Sequence, residues 1–328
     1  MNLHWDREAF EAIVLTVSNR EGIRPDVLEK DYYVSLMLAE LSGNQEDLKA
    51  YFKGGTALYK ALRTMNRISE DIDLTVDVRD CPSNNQKRLR LEESACGYNC
   101  LPKFLDDPDN HKSKGSITSV YRYDPIFYDS TDDRLQRFGR VKVEATSFTV
   151  SEPTQAMTIA PLLYESATDE EKAILTATFL VYPFEIMTIK LERIFIDKVF
   201  ASEFYFQRVN DSLLDLVQRE GFAFDVAKHV YDLMVLYDHP SIQSLLSDQE
   251  ELRKMIRFKR DEEQVRVGGI EESLRIRDFS YLRQAQGHDL LQSAYQWMQD
   301  IYVFHEHDKK SLGDVERVFA AILEIDEE

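Results

Sequence analysis

A chain of 328 residues with 43% hydrophobic content is long enough for one large domain, or two modest ones, around a real core. Its formal charge of −19 and pI near 4.9 exclude a broad basic footprint on nucleic acid and do not point to anionic membranes. They leave room for a local basic groove, or for an RNA held at one end.

The N-terminal "MNLHWDREAFEAIV" is acidic and amphipathic, without the basic start and apolar run of a signal peptide, and no stretch approaches the ~20 apolar residues of a membrane span. A cytoplasmic location is expected. Residues 6–20 and 26–42 carry helical periodicity, the second with Val27, Val34, Leu38 and Leu41 on one side after Pro25 and Asp26. "LKAYFKGG" reads as a short strand running into glycine. "TALYKALRTM" places Ala57, Leu58, Ala61, Leu62 and Met65 at helical spacing. "DIDLTVDV" switches to period two, with Ile72, Leu74, Val76 and Val78 on one face and Asp71, Asp73, Thr75 and Asp77 on the other.

Residues 79–116 are polar and read as an insertion, partly helical near 86–97. They carry all three cysteines, Cys81, Cys96 and Cys100, an odd number at irregular spacing that argues against a disulfide framework. Cys96-x3-Cys100 with His111 lacks a fourth zinc ligand and a paired knuckle, so zinc is not expected. Strand signals return in "SITSVYRYD" and in "GRVKVEATSFTV", where Val141, Val143 and Ala145 alternate with Lys142, Glu144 and Thr146. "ATFLVYPF" reads as a further strand ended by Pro183. Beyond it the texture is helical: a long amphipathic helix over 185–206, a second in "AFDVAKHVYDLMVLYDH", several more, and a loop-like "VRVGGIEESLRIRDF". The expected fold is α+β, with a mixed sheet and flanking helices over residues 1–183 and a helical part over 184–328.

The chemistry concentrates in "KGGTALYKALRTMNRISEDIDL". Two aspartates at i and i+2 on a strand share a face, an arrangement suited to joint capture of a divalent ion, and Glu144 sits on the polar face of the best neighbouring strand. The plain alternative is that these acids merely face water. Gly54 and Gly55 permit close backbone approach to a ligand. Thr56 is a candidate N-cap, and free N–H groups at a helix start bind phosphate. No GxxxxGK[ST] exists, and "KGGTAL" is not GxGxxG, so the P-loop and Rossmann readings fail. A phosphate-gripping turn, a helix and a carboxylate strand form a coherent nucleotide site, since phosphoryl chemistry on a triphosphate requires its charge to be neutralised.

Gly54-Gly55-Thr56, a helix, and then Arg67-x-Ser69-x-Asp71-Ile72-Asp73-Leu74 resemble the core of DNA polymerase β-type nucleotidyltransferases. More narrowly the chain resembles the AbiEii/AbiGii family, the nucleotidyltransferase toxins of bacterial abortive-infection (phage defence) and toxin–antitoxin systems. "LEKDYYV" (28–34) is similar to the helix that precedes that core, and "VKVEATSF" to the strand bearing the third carboxylate, here Glu144 rather than aspartate. "LERIFIDKVFA" resembles the family's lysine helix, which gives Lys198 the lysine role. "KHVYDLMVL" resembles its later aspartate helix and gives Asp232 the aspartate role, with Lys228-His229 where an Arg-Asp pair is common. The likeness runs from about residue 25 to 285.

The resemblance implies a catalytic set of Asp71, Asp73, Glu144, Lys198 and Asp232, and a nucleotide-binding set of Gly54, Gly55, Thr56, Ser69 and Lys198. Asp71, Asp73 and Glu144 would hold Mg²⁺ or Mn²⁺. The substrate would be a nucleoside triphosphate, the acceptor tRNA, another RNA or a protein, and the partner a separately encoded antitoxin. Read from the residues alone, Lys198 either extends to solvent from a mostly apolar helix or reaches the triphosphate as a point charge. Asp232 either pairs within its helix with Lys228 or orients Lys198 and the nucleotide, and His229 reads as a structural or surface group. Rival functions are protein nucleotidylation, γ-phosphoryl transfer as in a kinase, and a non-catalytic nucleotide-binding module.

Overall fold

The computed structural model describes residues 2–63, 67–127, 138–149, 151–266 and 268–327. Of the positions in the stretches quoted above, Met1, Thr64, Met65, Asn66, Val150 and Val267 lie outside them. The chain packs as two units. The first comprises Met1–Thr64, Ile68–Ser147 and Thr154–Ile189, the second Met65–Arg67, Phe148–Pro153 and Lys190–Glu328.

In the first unit the Asp6 carboxylate accepts from Ala9 N and starts α1 (Arg7–Glu21), and Gly22 closes it in the left-handed region. α2 (Pro25–Leu48) opens on a proline at its first position. Next come β1 (Ala50–Lys53), α3 (Gly54–Leu62), β2 (Ile72–Val76) and α4 (Asn84–Cys96), the last capped by Ser83 through Gln86 N. β3 (His111–Ser113), β4 (Ser116–Arg122), β5 (Arg140–Thr146) and β6 (Thr154–Ile159) follow, then α5 (Leu162–Glu165), α6 (Asp169–Phe179) and β7 (Phe184–Ile189). Seven strands form one mixed sheet in the order β3-β4-β5-β2-β1-β7-β6, with β2–β5 and β1–β7 parallel and the other pairs antiparallel. The period-two pattern puts Ile72, Leu74, Val141, Val143 and Ala145 in the core, all fully buried, with Phe10, Leu28, Leu38 and Phe52.

Two segments differ from the sequence reading. "ATFLVYPF" is the end of a helix and a turn, not a strand. A Thr168–Glu171 capping box and three acids in the first turn launch α6, whose buried Leu175 and Phe179 are one helical turn apart. Residues 185–189, expected as the start of a long helix, belong instead to β7. Ile186 and Thr188 are buried on either side of half-buried Met187, as period two demands, and Ile189 at the strand's end is buried as well. The sheet therefore runs six residues past the boundary expected at 183, and Lys190 becomes the residue flanking the next helix rather than part of it.

The second unit is helical: α7 (Leu191–Val209), α8 (Leu216–Tyr237), α9 (Pro240–Ser247), α10 (Gln249–Val265), α11 (Tyr281–Gln284), α12 (Asp289–Tyr302) and α13 (Val315–Leu323). An Asp215–Gln218 capping box starts α8, which packs on α7 and α12. α7 inserts Phe195, Ile196, Val199 and Phe200 into the core. α7 is tied to α10 through buried Arg193, which pairs with Glu262 as well as with Asp197 of its own helix, and through buried Lys259, which lies 3.7 Å from Asp197. Among the described residues no helix is long and apolar enough to cross a membrane.

Candidate active site

In the first unit the site is assembled on neighbouring strands. Lys53 ends β1, and Gly54 turns the chain directly into α3 with a φ of +79°. A β-carbon at Gly54 would stand 2.0 Å from Asp73 Oδ2 and 2.9 Å from Asp73 Cβ, so glycine alone lets the backbone pass this close to the acid. β2 and β5 lie in register with Asp73 beside Glu144, and β1 sets Lys53 opposite Asp73. Asp71 immediately precedes β2, and its Oδ2 lies 3.1 Å from Lys142 Nζ. Asp71, Asp73 and Glu144 are all half-buried.

The charges explain one another. The Asp73 carboxyl is pushed up to about 6, first by desolvation and then by the Glu144 and Asp71 carboxylates, while Lys53 and Lys142 pull it down. The Lys142 ammonium is stabilised, first by Asp71 and then by Glu144, so its pKa rises. Three carboxylates that repel one another are relieved by a cation, and oxygen-only donors suit magnesium or manganese. The residue types therefore fit such an ion. Among the described residues, however, no three His, Cys, Asp or Glu side chains are gathered into a formed metal cluster. Asp71 is engaged by Lys142.

Thr56 does not cap α3. The helix begins two residues earlier, and Thr56 Oγ1 donates to Asp71 O at 2.6 Å and lies 3.1 Å from Ser69 Oγ. The buried hydroxyl thus ties the first turn of α3 to the segment carrying Ser69 and Asp71. Gly55 lies in that same first turn. The Glu29-Lys30-Asp31 triplet of α2 buttresses the assembly. The Glu29 carboxylate accepts from Ile126 N and Phe127 N, and Lys30 donates to Arg140 O at the start of β5. Asp31 accepts from Lys60 Nζ on α3 and from Leu162 N, each at 2.6 Å. Burial pushes the Lys30 ammonium down.

The second unit holds a separate charged cluster. Arg67 grips Asp232 with two hydrogen bonds of 2.7 Å, and Lys198 Nζ lies 2.8 Å from Asp232 Oδ2. The three side chains are almost fully buried. Desolvation works against the Asp232 charge, but Arg67 and then Lys198 hold its carboxyl well below the usual range. His229 Nδ1 lies 3.2 Å from Lys198 Nζ, and since an ammonium only donates, that nitrogen accepts. Desolvation and the Lys198 charge keep the imidazole neutral, and the ring stacks on Tyr205. Asp232 is thus paired with Lys198, whereas Lys228 pairs with Asp225.

Sequence reasoning named no role for Lys142, Lys53 or Arg67. For Lys142 the signal was present, since period two puts it on the face of Glu144. Arg67 stands in the motif Arg67-x-Ser69-x-Asp71, but nothing local names its partner, which is 165 residues away. The cysteines are free, Cys96 Sγ lies 3.0 Å from Ser119 Oγ, and His111 is exposed on β3.

A comparison with curated proteins finds no match. A family model described as nucleotidyl transferase AbiEii toxin, type IV toxin–antitoxin system, matches residues 36–324. The match takes in Gly54, Asp71, Asp73, Glu144, Lys198 and Asp232, and begins just after the "LEKDYYV" stretch. With most of its length so covered, the chain belongs to the AbiEii nucleotidyl transferase toxin family of type IV toxin–antitoxin systems.

Proposed function

We propose that this toxin transfers a nucleoside monophosphate from a triphosphate to an acceptor hydroxyl, with release of pyrophosphate. The observation that carries the reading is the strand register that sets Asp73 beside Glu144 and two residues from Asp71, with the Gly54 turn passing close over Asp73. Asp71, Asp73 and Glu144 are the residues that would hold Mg²⁺ or Mn²⁺, which would supply charge neutralisation on the phosphates. Gly54 keeps the backbone low over Asp73, and the N–H groups of the first turn of α3, Gly55 and Thr56 among them, grip phosphate oxygens. Ser69, held beside Thr56, belongs to the same phosphate-facing segment. Glu144 positions the acceptor hydroxyl. For Lys198 the proposal is a point charge for the triphosphate, with Asp232 as the group that fixes it.

The proposed acceptor is RNA of tRNA size, with a separately encoded antitoxin restraining the toxin. The net charge of −19 favours a second reading, a protein hydroxyl as acceptor, because a protein acceptor does not bring a phosphate backbone to an acidic surface. Incubation with each α-labelled triphosphate, Mg²⁺ and total RNA or cell extract tests both. Label in tRNA-sized RNA is expected, and it disappears in Asp71→Ala together with toxicity in cells. Label in protein selects the second reading, and transfer of γ rather than α label makes the enzyme a kinase. Undiminished toxicity of Asp71→Ala would sink the enzymatic reading altogether.

A further inference from the structure

Lys142 lies two residues before Glu144 on β5, so both project from the same face of the sheet. Its ammonium is 3.1 Å from Asp71 Oδ2, and the pair is partly open to solvent, with side-chain exposures of 27% for the lysine and 39% for the aspartate. Asp71 is also a proposed ligand of the divalent ion. An ammonium bound to Asp71 and a metal ion bound to Asp71 compete for one carboxylate.

The charges around the site sharpen that competition. Asp71, Asp73 and Glu144 face Lys142 and, on β1, Lys53, so the protein supplies much of its own neutralisation. Lys53 Nζ is turned to Thr146 Oγ1 at 3.2 Å, which leaves Lys142 as the cation seated on Asp71. A metal ion arriving alone must separate Lys142 from Asp71 and leave the ammonium among like charge. A metal arriving with a nucleoside triphosphate brings phosphate oxygens that take the ammonium over. Binding of metal and of nucleotide is then positively coupled, and the coupling is reciprocal.

We propose that Lys142 is an internal counter-ion of the site: it occupies Asp71 in the nucleotide-free protein and passes to a phosphate of the incoming metal–nucleotide complex, so that the metal binds tightly only with its nucleotide. The inference rests on the nucleotidyltransferase reading above and adds to it how the site is loaded. No bond is made or broken in the exchange.

The test is Mn²⁺ binding to the full chain, followed by electron paramagnetic resonance, with and without the α,β-methylene analogue of each triphosphate. Without nucleotide, Lys142→Met and Lys142→Gln are expected to bind Mn²⁺ about 3- to 5-fold more tightly than wild type, as loss of a partly exposed ion pair implies. The enhancement by nucleotide shrinks by a similar factor in both. Lys142→Arg, which keeps the charge, behaves as wild type, and Asp71→Asn loses the ion. Melting temperatures check that each variant is folded, and two neutral variants guard against one that is not. If both neutral variants bind Mn²⁺ no more tightly than wild type while nucleotide still enhances binding in all of them, Lys142 is not the counter-ion and only this inference falls. If no protein binds Mn²⁺ in any arm, the nucleotidyltransferase reading falls and takes the inference with it.

Discussion

Replacing Gly54 with alanine asks whether the close passage of backbone over Asp73 builds the site. Two costs add. The backbone sits at φ +79°, where an alanine side chain costs about 1–2 kcal/mol. The new methyl would also stand 2.0, 2.8 and 2.9 Å from Asp73 Oδ2, Cγ and Cβ. Rotating the carboxylate away relieves the first two contacts but not the third, so β2 itself must shift, at about 1–3 kcal/mol. The reduced freedom of the unfolded chain returns roughly 0.4–1 kcal/mol. A net loss of about 2–4 kcal/mol is expected, together with at least a 100-fold fall in α-label transfer, since ångström-scale misplacement of a catalytic group has that effect. Gly43→Ala is the control: it lies within α2, has nothing within 4 Å of its added methyl, and is expected to gain about 0.5–1 kcal/mol. Urea midpoints of the two variants and wild type, with transfer rates, decide the matter. A Gly54→Ala protein as stable and as active as wild type would refute the account of the turn.

Two further perturbations probe the helical unit. Asp232→Ala removes the carboxylate shared by two buried cations, Arg67 and Lys198, and is expected to cost about 3–5 kcal/mol; a loss under about 1 kcal/mol in urea unfolding would show that the cluster relaxes freely. His229 is held neutral when folded, so the unfolded chain takes up its proton first: the stability it contributes is whole above 6.5 and falls as the pH drops from there towards the lowered folded value. Asp73 acts in the opposite sense below about 6, gaining stability as the pH falls, so the informative quantity is the difference between wild type and His229→Gln. Between pH 7.5 and 5.5 wild type is expected to lose about 1 kcal/mol more than the variant, and parallel pH curves would contradict the neutral assignment.

The stretch from Lys53 to Val76 is legible in the sequence because each of its signals is local. A glycine pair after an apolar run, a helical spacing of Ala57, Leu58, Ala61 and Leu62, and the alternation from Ile72 to Val76 need no distant partner. The same alternation marks the face of β5 that bears Lys142 and Glu144, but nothing local says that β5 lies parallel to β2 with Glu144 beside Asp73. The misreadings have a different origin. An apolar "ATFLV" satisfies a strand template, and only the capping box nine residues upstream of Ala177 shows that a helix is already running. "EIMTI" shares an apolar texture with the helix after it, and only its buried Ile186 and Thr188, at period two, mark it as a strand. Thr56 has the composition of a cap, but its hydroxyl is claimed by Asp71 O, a contact that exists only once α3 and β2 have packed.

The two candidate site lysines differ in a way that separates their roles. Lys198 belongs to a cluster whose ion pairs are almost fully buried, and breaking one exposes a charge to a low-dielectric surrounding, at a cost of several kcal/mol. It is a fixed element. With His229 neutral, Arg67, Lys198 and Asp232 carry together one net positive charge. The Lys142–Asp71 pair is partly wet, and pairs so exposed are worth ~1 kcal/mol or less. It exchanges cheaply. Burial makes the Lys198 cluster a fixed charge within its unit, and solvent access makes the Lys142–Asp71 pair the one able to exchange partners.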